Sequence, residues 1–178
     1  MKQSVQSNIR NSIFKAVLTG SLVVGAASVF AADSGNITIQ GTVAPVNAIV
    51  VTPVAGYNSL ALGAGATDQQ VATVNEQNND PDGYTVTLVS ANASTNTVAF
   101  LKGADSENSQ VVNYTMKYGT ASSEAAVTLV AGSAVVTSTS AASIEAGAEK
   151  SLLVSFAGAS WKNADTYADT LTLTIAAK

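Results

Sequence analysis

Residues Tyr167 to Lys178 alternate large apolar and small polar side chains with a period of two. Tyr167, Leu171, Leu173 and Ile175 share one phase; Thr170, Thr172 and Thr174 share the other. Successive side chains of a β-strand point to opposite faces, so this pattern predicts a strand with one face in a core and one in water. The same phasing recurs in Tyr84, Val86 and Leu88, in Val112, Tyr114, Met116 and Tyr118, and in Leu152, Val154 and Phe156. A sheet that is apolar on one face needs a second layer to cover it, and two such sheets face to face make a sandwich. The expected fold is all-β, a β-sandwich built as a single domain.

Composition agrees with that layout. The chain beyond residue 31 is rich in Ala, Thr, Val, Ser, Asn and Gly and poor in Leu, Glu and Lys, which favours short strands and tight turns over long helices. Strands are expected at Ile37–Val43, Ala48–Val54, Ser59–Leu62, Gln70–Asn75, Gly83–Ser90 and Thr97–Leu101. Further strands are expected at Val111–Tyr118, Ala125–Val130, Ala134–Thr137, Ser151–Phe156 and Tyr167–Ala176. Turn signals separate them at the spacing usual in sandwiches. Pro45 divides the first two because it cannot donate to a ladder. One short helix is expected around Thr139–Glu145.

Residues 1–31 read as a secretory signal. Lys2, Arg10 and Lys15 precede an apolar run from Ala16 to Phe30, and Val29-Phe30-Ala31 places small residues at −3 and −1 of a cut before Ala32. The run is interrupted by Thr19, Gly20, Ser21 and Gly25 and is short of the ~20 apolar residues that cross a bilayer. No membrane span is expected in the mature chain. Its remaining five lysines face twelve acidic residues, a balance that repels nucleic acid and anionic lipid. The chain has no Cys and no His. Disulfides, Cys- or His-based zinc sites, Ser-His-Asp triads and imidazole acid–base chemistry are thereby excluded.

Three features could carry chemistry, each beside a plainer reading. Asn78, Asp80, Asp82 and Gly83 match the first half of a calcium loop, but position twelve is Val89 instead of a bidentate Glu, which favours an Asx turn entering a strand. Asp105 and Glu107 read as a solvated loop. Two acids meeting in space could hydrolyse glycosides, but few aromatics are available to line a sugar cleft. Trp161 could stack on a ligand but is expected at the core or its edge, where large aromatics usually lie. No enzyme activity and no cofactor are expected.

The leader, the alternating segment Asn36–Val43, the strand after Pro45, the strands Tyr84-Thr-Val-Thr-Leu88 and Tyr114-Thr-Met-Lys-Tyr-Gly119, and the terminal Tyr167–Ile175 together resemble a known family. It is that of the pilin subunits of the chaperone–usher pathway, which build fimbriae and capsules on Gram-negative bacteria. Many members carry a disulfide from the first strand, where this chain has Ala48 and Ile49, so the resemblance is closest to the Cys-free, capsule-forming and related fimbrial subunits.

The resemblance implies an incomplete immunoglobulin-like β-sandwich that lacks its last strand and is completed by a donated one. A periplasmic chaperone fills the gap first, and at an outer-membrane usher the N-terminal extension of the next subunit replaces it. It thus implies a signal over residues 1–31, a donor extension over 32–44 and a sandwich over 45–178. The donor face would be Ile37, Ile39, Gly41 and Val43, and the acceptor wall Tyr167, Leu171, Leu173 and Ile175. The partners implied are the chaperone, the usher and other copies of the subunit, in a homopolymer at the cell surface that supports adhesion or biofilm formation. A secreted carbohydrate-binding sandwich is the alternative.

Overall fold

The computed structural model describes residues 35–143 and 149–178. The expected leader therefore lies outside the described residues, as do the last two residues of the helix expected over Thr139–Glu145; residues 139–143 are not helical. Two units are distinguished, residues 1–41 and residues 42–178. Within the first, residues 35–41 form no strand, and Ile37 and Ile39 are 89% and 94% exposed.

Among its described residues the second unit is all-β, with ten strands in two antiparallel sheets. They are β1 (Asn47–Pro53), β2 (Ala66–Asn78), β3 (Tyr84–Ser90), β4 (Ala99–Gly103) and β5 (Val111–Thr120), followed by β6 (Ala125–Val127), β7 (Ser133–Thr139), β8 (Lys150–Phe156), β9 (Tyr167–Ala168) and β10 (Leu171–Ala177). The larger sheet runs β1-β2-β8-β5-β4-β9, with β6 sharing the β4 side of β5; the smaller runs β10-β3-β7.

The one-sided phasing read from the sequence is the phasing of the core. Val86 and Leu88 of β3 face Val112, Tyr114, Met116 and Tyr118 of β5 and Leu152, Val154 and Phe156 of β8 across the interior, and all are buried. Alternate residues of those strands are more accessible, as burial on one side requires.

Departures from expectation have local causes. Ser59–Leu62 is a run of turns, not a strand: Ser59 N–H donates to Gly56 O (3.0 Å), Leu62 N–H to Leu60 O (2.9 Å) and Ala64 N–H to Ala61 O (3.1 Å). Leu60 and Leu62 cap the core from this loop. Strand β2 extends well beyond Gln70–Asn75 because two register shifts let its polar start stay paired with β8. At one of them Asp68 takes a left-handed conformation (φ 51°), and its amide donates to Ser155 Oγ (2.8 Å).

The Asn78–Gly83 segment is an Asx turn. Asn78 Oδ1 accepts from Asp80 N (2.8 Å), Asp80 Oδ1 from Asp82 N (2.9 Å), and Gly83 N–H donates to Asp80 O (3.0 Å). Gly83 has φ 86°, and a Cβ there would run into Thr139 O. Among the described residues no group of three or more acidic side chains is placed to hold a metal ion.

The expected Tyr167–Ala176 strand is divided. β9 pairs with β4 in the larger sheet, and β10 pairs with β3 in the smaller one, so the chain changes sheets at Asp169-Thr170. Trp161 lies in the loop before β9 and is 72% exposed, which corrects its expected place at the core. The loop folds back through Ala159 N–H to Leu62 O (2.8 Å), and this seats the small Ala159 against the core instead of the indole.

Candidate strand-acceptor groove

Two edge strands lie side by side without forming a ladder. β1 is the edge of the larger sheet, β10 the edge of the smaller. They run antiparallel to each other and come together at one end, where Asn47 Nδ2 donates to Ile175 O (3.4 Å). Toward Pro53 and Leu171 they diverge, and a groove of about 360 Å³ opens between them. Its walls are Val51 and Pro53 on β1 and Leu171 and Leu173 on β10; Val154 and Phe156 of β8 lie in its floor. The lining is overwhelmingly apolar. Proline at the end of β1 suits an edge position, because nothing there requires its missing N–H.

The polar groups of the groove gather at its open end around Asp169. Asp169 Oδ2 accepts from Ser90 Oγ (2.6 Å) and Tyr114 OH (2.6 Å), while Oδ1 accepts from the amides of Asn92 (3.0 Å) and Thr170 (2.8 Å). One carboxylate thus ties β3 and β5, in opposite sheets, at the point where the chain itself crosses between them. Burial and this negative neighbour push the Tyr114 hydroxyl far above the usual tyrosine range.

The closed end has a matching device. Glu76, an inward residue of β2 and only 1% exposed, accepts at Oε1 from Tyr118 OH (2.6 Å) and Thr137 Oγ1 (2.9 Å). At Oε2 it accepts from Tyr84 OH (3.0 Å) and Lys150 Nζ (2.6 Å). Lys150 Nζ also donates to Thr137 Oγ1 (2.7 Å) and lies 5.5 Å from the Tyr118 ring centre. All four contacts to the carboxylate come from other strands of both sheets. A buried carboxylate whose two oxygens are saturated in this way clamps the two sheets together. Burial, and secondarily Glu76, push Tyr84 up to about 12; Tyr118 moves further in the same direction.

The structure brings Leu171 and Leu173 together in the groove wall, in the expected phase. Ile175 sits beyond, where β1 and β10 meet. Tyr167 is elsewhere: it lies on β9, and its hydroxyl donates to Asn163 O (3.0 Å) and accepts from Asn108 Nδ2 (3.0 Å). Of the donor face, Val43 in the second unit is 85% exposed. Sequence reading missed Glu76 and Asp169. The available signal was an acid in the inward phase of a strand, at Glu76 among Ala72, Val74 and Asn78. Among the described residues no helix is long and apolar enough to cross a membrane. No protein-family model matches the chain, and no curated protein matches it.

Proposed function

We propose that the chain is a structural subunit of a bacterial surface fimbria that polymerises head-to-tail by donating residues 32–44 to the β1–β10 groove of a neighbouring copy. The observation that carries this reading is the groove itself. An apolar cleft lies against the unladdered edge of β10, and the chain has an alternating segment of suitable length to fill it at residues 36–43. An added strand supplies backbone hydrogen bonds along an edge, and its alternate side chains fill pockets. Ile37, Ile39 and Val43 are the plugs, each worth roughly 1.5–3 kcal/mol when fully buried. Gly41, in the same phase, brings no side chain to the groove. Until it is filled, such an edge is an aggregation hazard, which is the reason for a periplasmic chaperone before an outer-membrane usher. A contact that repeats without closing on itself gives a filament.

The test is gel electrophoresis of surface extracts from cells carrying the whole assembly locus. Mild heating should leave a ladder of oligomers that boiling collapses to monomer. Ile39→Asp should abolish the ladder while chaperone capture persists, since a carboxylate entering an apolar groove costs several kcal/mol or must take up a proton. Normal filaments from that variant would refute the donor assignment.

One observation favours the second reading, a carbohydrate-binding module: the exposed Trp161. Lys162 Nζ, however, lies 4.0 Å from the centre of its ring and occupies one of the two faces a sugar would stack on. Glycan binding that is lost in Trp161→Ala, by a protein that stays monomeric, would establish that reading instead.

A further inference from the structure

The two ends of the sandwich differ in what their loops expose. At the end marked by Pro53, Ser90 and Phe156, four connections each present one large apolar side chain to water. These are Tyr57 (50% exposed), Val98 (47%), Val130 (73%) and Trp161 (72%). At the end marked by Asn47, Asn78 and Lys150, the described connections are Asn79–Gly83, Ala121–Glu124 and residues 140–143 and 149; none contains a large apolar residue, and the exposed apolar residue nearest this end is Val46, just before β1 and 44% exposed. Scattered exposed apolar residues are ordinary; here four connections at one end each expose one, the connection over residues 104–110 being the polar exception, and Tyr57 also lines the apolar groove.

We propose that this end is a second docking surface, on which the body of the next copy of the chain sits with its Asn47 end. The inference rests on the donor-strand reading and adds to it a contact between folded bodies. The argument is one of reach. The chain is fastened to its own body from Ala44 onward: Asn79 Nδ2 donates to Ala44 O (2.8 Å), Val46 N–H to Asn79 Oδ1 (2.6 Å) and Asn79 N–H to Val46 O (3.1 Å). The last plug, Val43, is the residue immediately before that fastening, and Val43 to Val46 spans at most ~11 Å. A donor seated in a groove therefore brings its own body up against the acceptor.

The acceptor's Asn47 end is already the exit of its own extension, which carries another neighbour. The incoming body must then arrive at the opposite end, with Val43 near Leu171 and Ile37 toward Ile175. That end is the one bearing Tyr57, Val98, Val130 and Trp161. Charge agrees: the arriving turn carries Asp80 and Asp82, and Lys162 stands beside Trp161. Trp161 is exposed in the single chain because its partner surface belongs to the next one.

The experiment compares surface filaments of wild type with those of the Trp161→Ala/Val130→Ser double variant, neither residue lining the groove. The oligomer ladder after mild heating should persist, because the donor strand is intact. The filaments should lose stiffness, with their persistence length in electron micrographs falling several-fold. Loss of an aromatic anchor at an interface is commonly worth about tenfold in dissociation rate, so shedding under shear should rise by about that factor. The Cys-free chain allows a second readout that leaves both residues in place. Asp82→Cys with Lys162→Cys should yield, under mild oxidant, a ladder that survives boiling without reductant, and neither single substitution should do so. Double-variant filaments as stiff as wild type, or oxidised double-Cys filaments that boil to monomer, would overturn the end-to-end contact while the donor-strand reading stands on its heat-sensitive ladder. Absence of that ladder in wild type would remove both.

Discussion

The Asn47 end and the Pro53 end of this sandwich use the same device to opposite effect. Each has one carboxylate that accepts hydroxyl donors from both sheets: Glu76 from Tyr84, Tyr118 and Thr137, Asp169 from Ser90 and Tyr114. At the first end the clamp is deep and includes Lys150, and the edges of β1 and β10 come together above it. At the second the clamp stands at the mouth of a groove, and the same edges diverge. Tying sheets together and closing the gap between their edges are therefore separate tasks. A cross-sheet clamp holds two layers in register, but it does not bring the edge strands together. The same pair of edges is closed at one end and grooved at the other.

The comparison can be broken most severely at Glu76. Glu76→Ala leaves three hydroxyls and an ammonium without their shared acceptor, and removing one partner of a buried ion pair typically costs about 3–5 kcal/mol. Lys150 is 17% exposed at its side chain and so regains some water, which places the expected loss near the lower end of that range. The urea midpoint of the purified subunit measures it. An unfolding free energy, midpoint times slope, within about 0.5 kcal/mol of wild type would show that the closed end does not depend on its clamp.

Leu173→Asp attacks the open end. It forfeits part of the ~1.5–3 kcal/mol of a buried Leu and places a charge against the core. Leu173 is only half-buried, so the subunit should lose about 2 kcal/mol, and in cells it should be degraded before a chaperone complex or polymer accumulates. Recovery with the chaperone at wild-type yield would contradict the assignment of Leu173 to the groove wall. Ile39→Asp, by contrast, should leave subunit stability unchanged.

Alkaline titration sharpens the comparison, because both clamps contain tyrosines. Tyr84, Tyr114 and Tyr118 all ionise at higher pH folded than unfolded, chiefly through burial. Raised folded values mean stability that is fully present below the unfolded tyrosine pKa of about 10 and is lost as pH climbs from there toward the folded values, the lowest being about 12 for Tyr84. Tyrosinate absorbance of these three should therefore rise together with loss of the fold. Smooth ionisation with the fold intact would mean that the clamps are open to solvent.

The smallest effect belongs to a surface pair away from both clamps. Lys117 Nζ lies 2.7 Å from Asp68 Oδ2 and holds its carboxyl below the usual aspartate range, with help from the Ser155 hydroxyl. A depressed folded value gives stability present above the unfolded pKa and lost as pH falls through the folded one. Because the pair is exposed, Asp68→Asn should move the urea midpoint little, and less still in high salt. A large shift would mean that the Asp68–Lys117 ion pair, and not the backbone bulge that Asn also tolerates, holds β2 to β8 here.

Much of this architecture was legible because its strands are buried on one face only. The inward phases of β3, β5 and β8 are the apolar phases of Tyr84–Leu88, Val112–Tyr118 and Leu152–Phe156. Ser59–Leu62 misled because two leucines capping a core from a loop carry the same alternation as a strand. Trp161 misled because a large aromatic is usually buried, and nothing local announces that Ala159 takes that place. Tyr167 shares a phase with Leu171 in the linear sequence, but Asp169 turns the chain into the other sheet between them.

The sequence by itself determined which faces of the strands are apolar, that cysteine and histidine chemistry is absent, and that an alternating segment precedes the first proline. Those properties are local, since period and residue type reside in a few consecutive positions. Only the tertiary structure decided that β1 and β10 lie beside each other with a groove between them, that Glu76 and Asp169 each find hydroxyls from both sheets, and that four apolar loop residues collect at one end. Each of these depends on partners tens of residues apart in the chain, joined by closing long loops around a shared core, and no short window of sequence records which partner will be met.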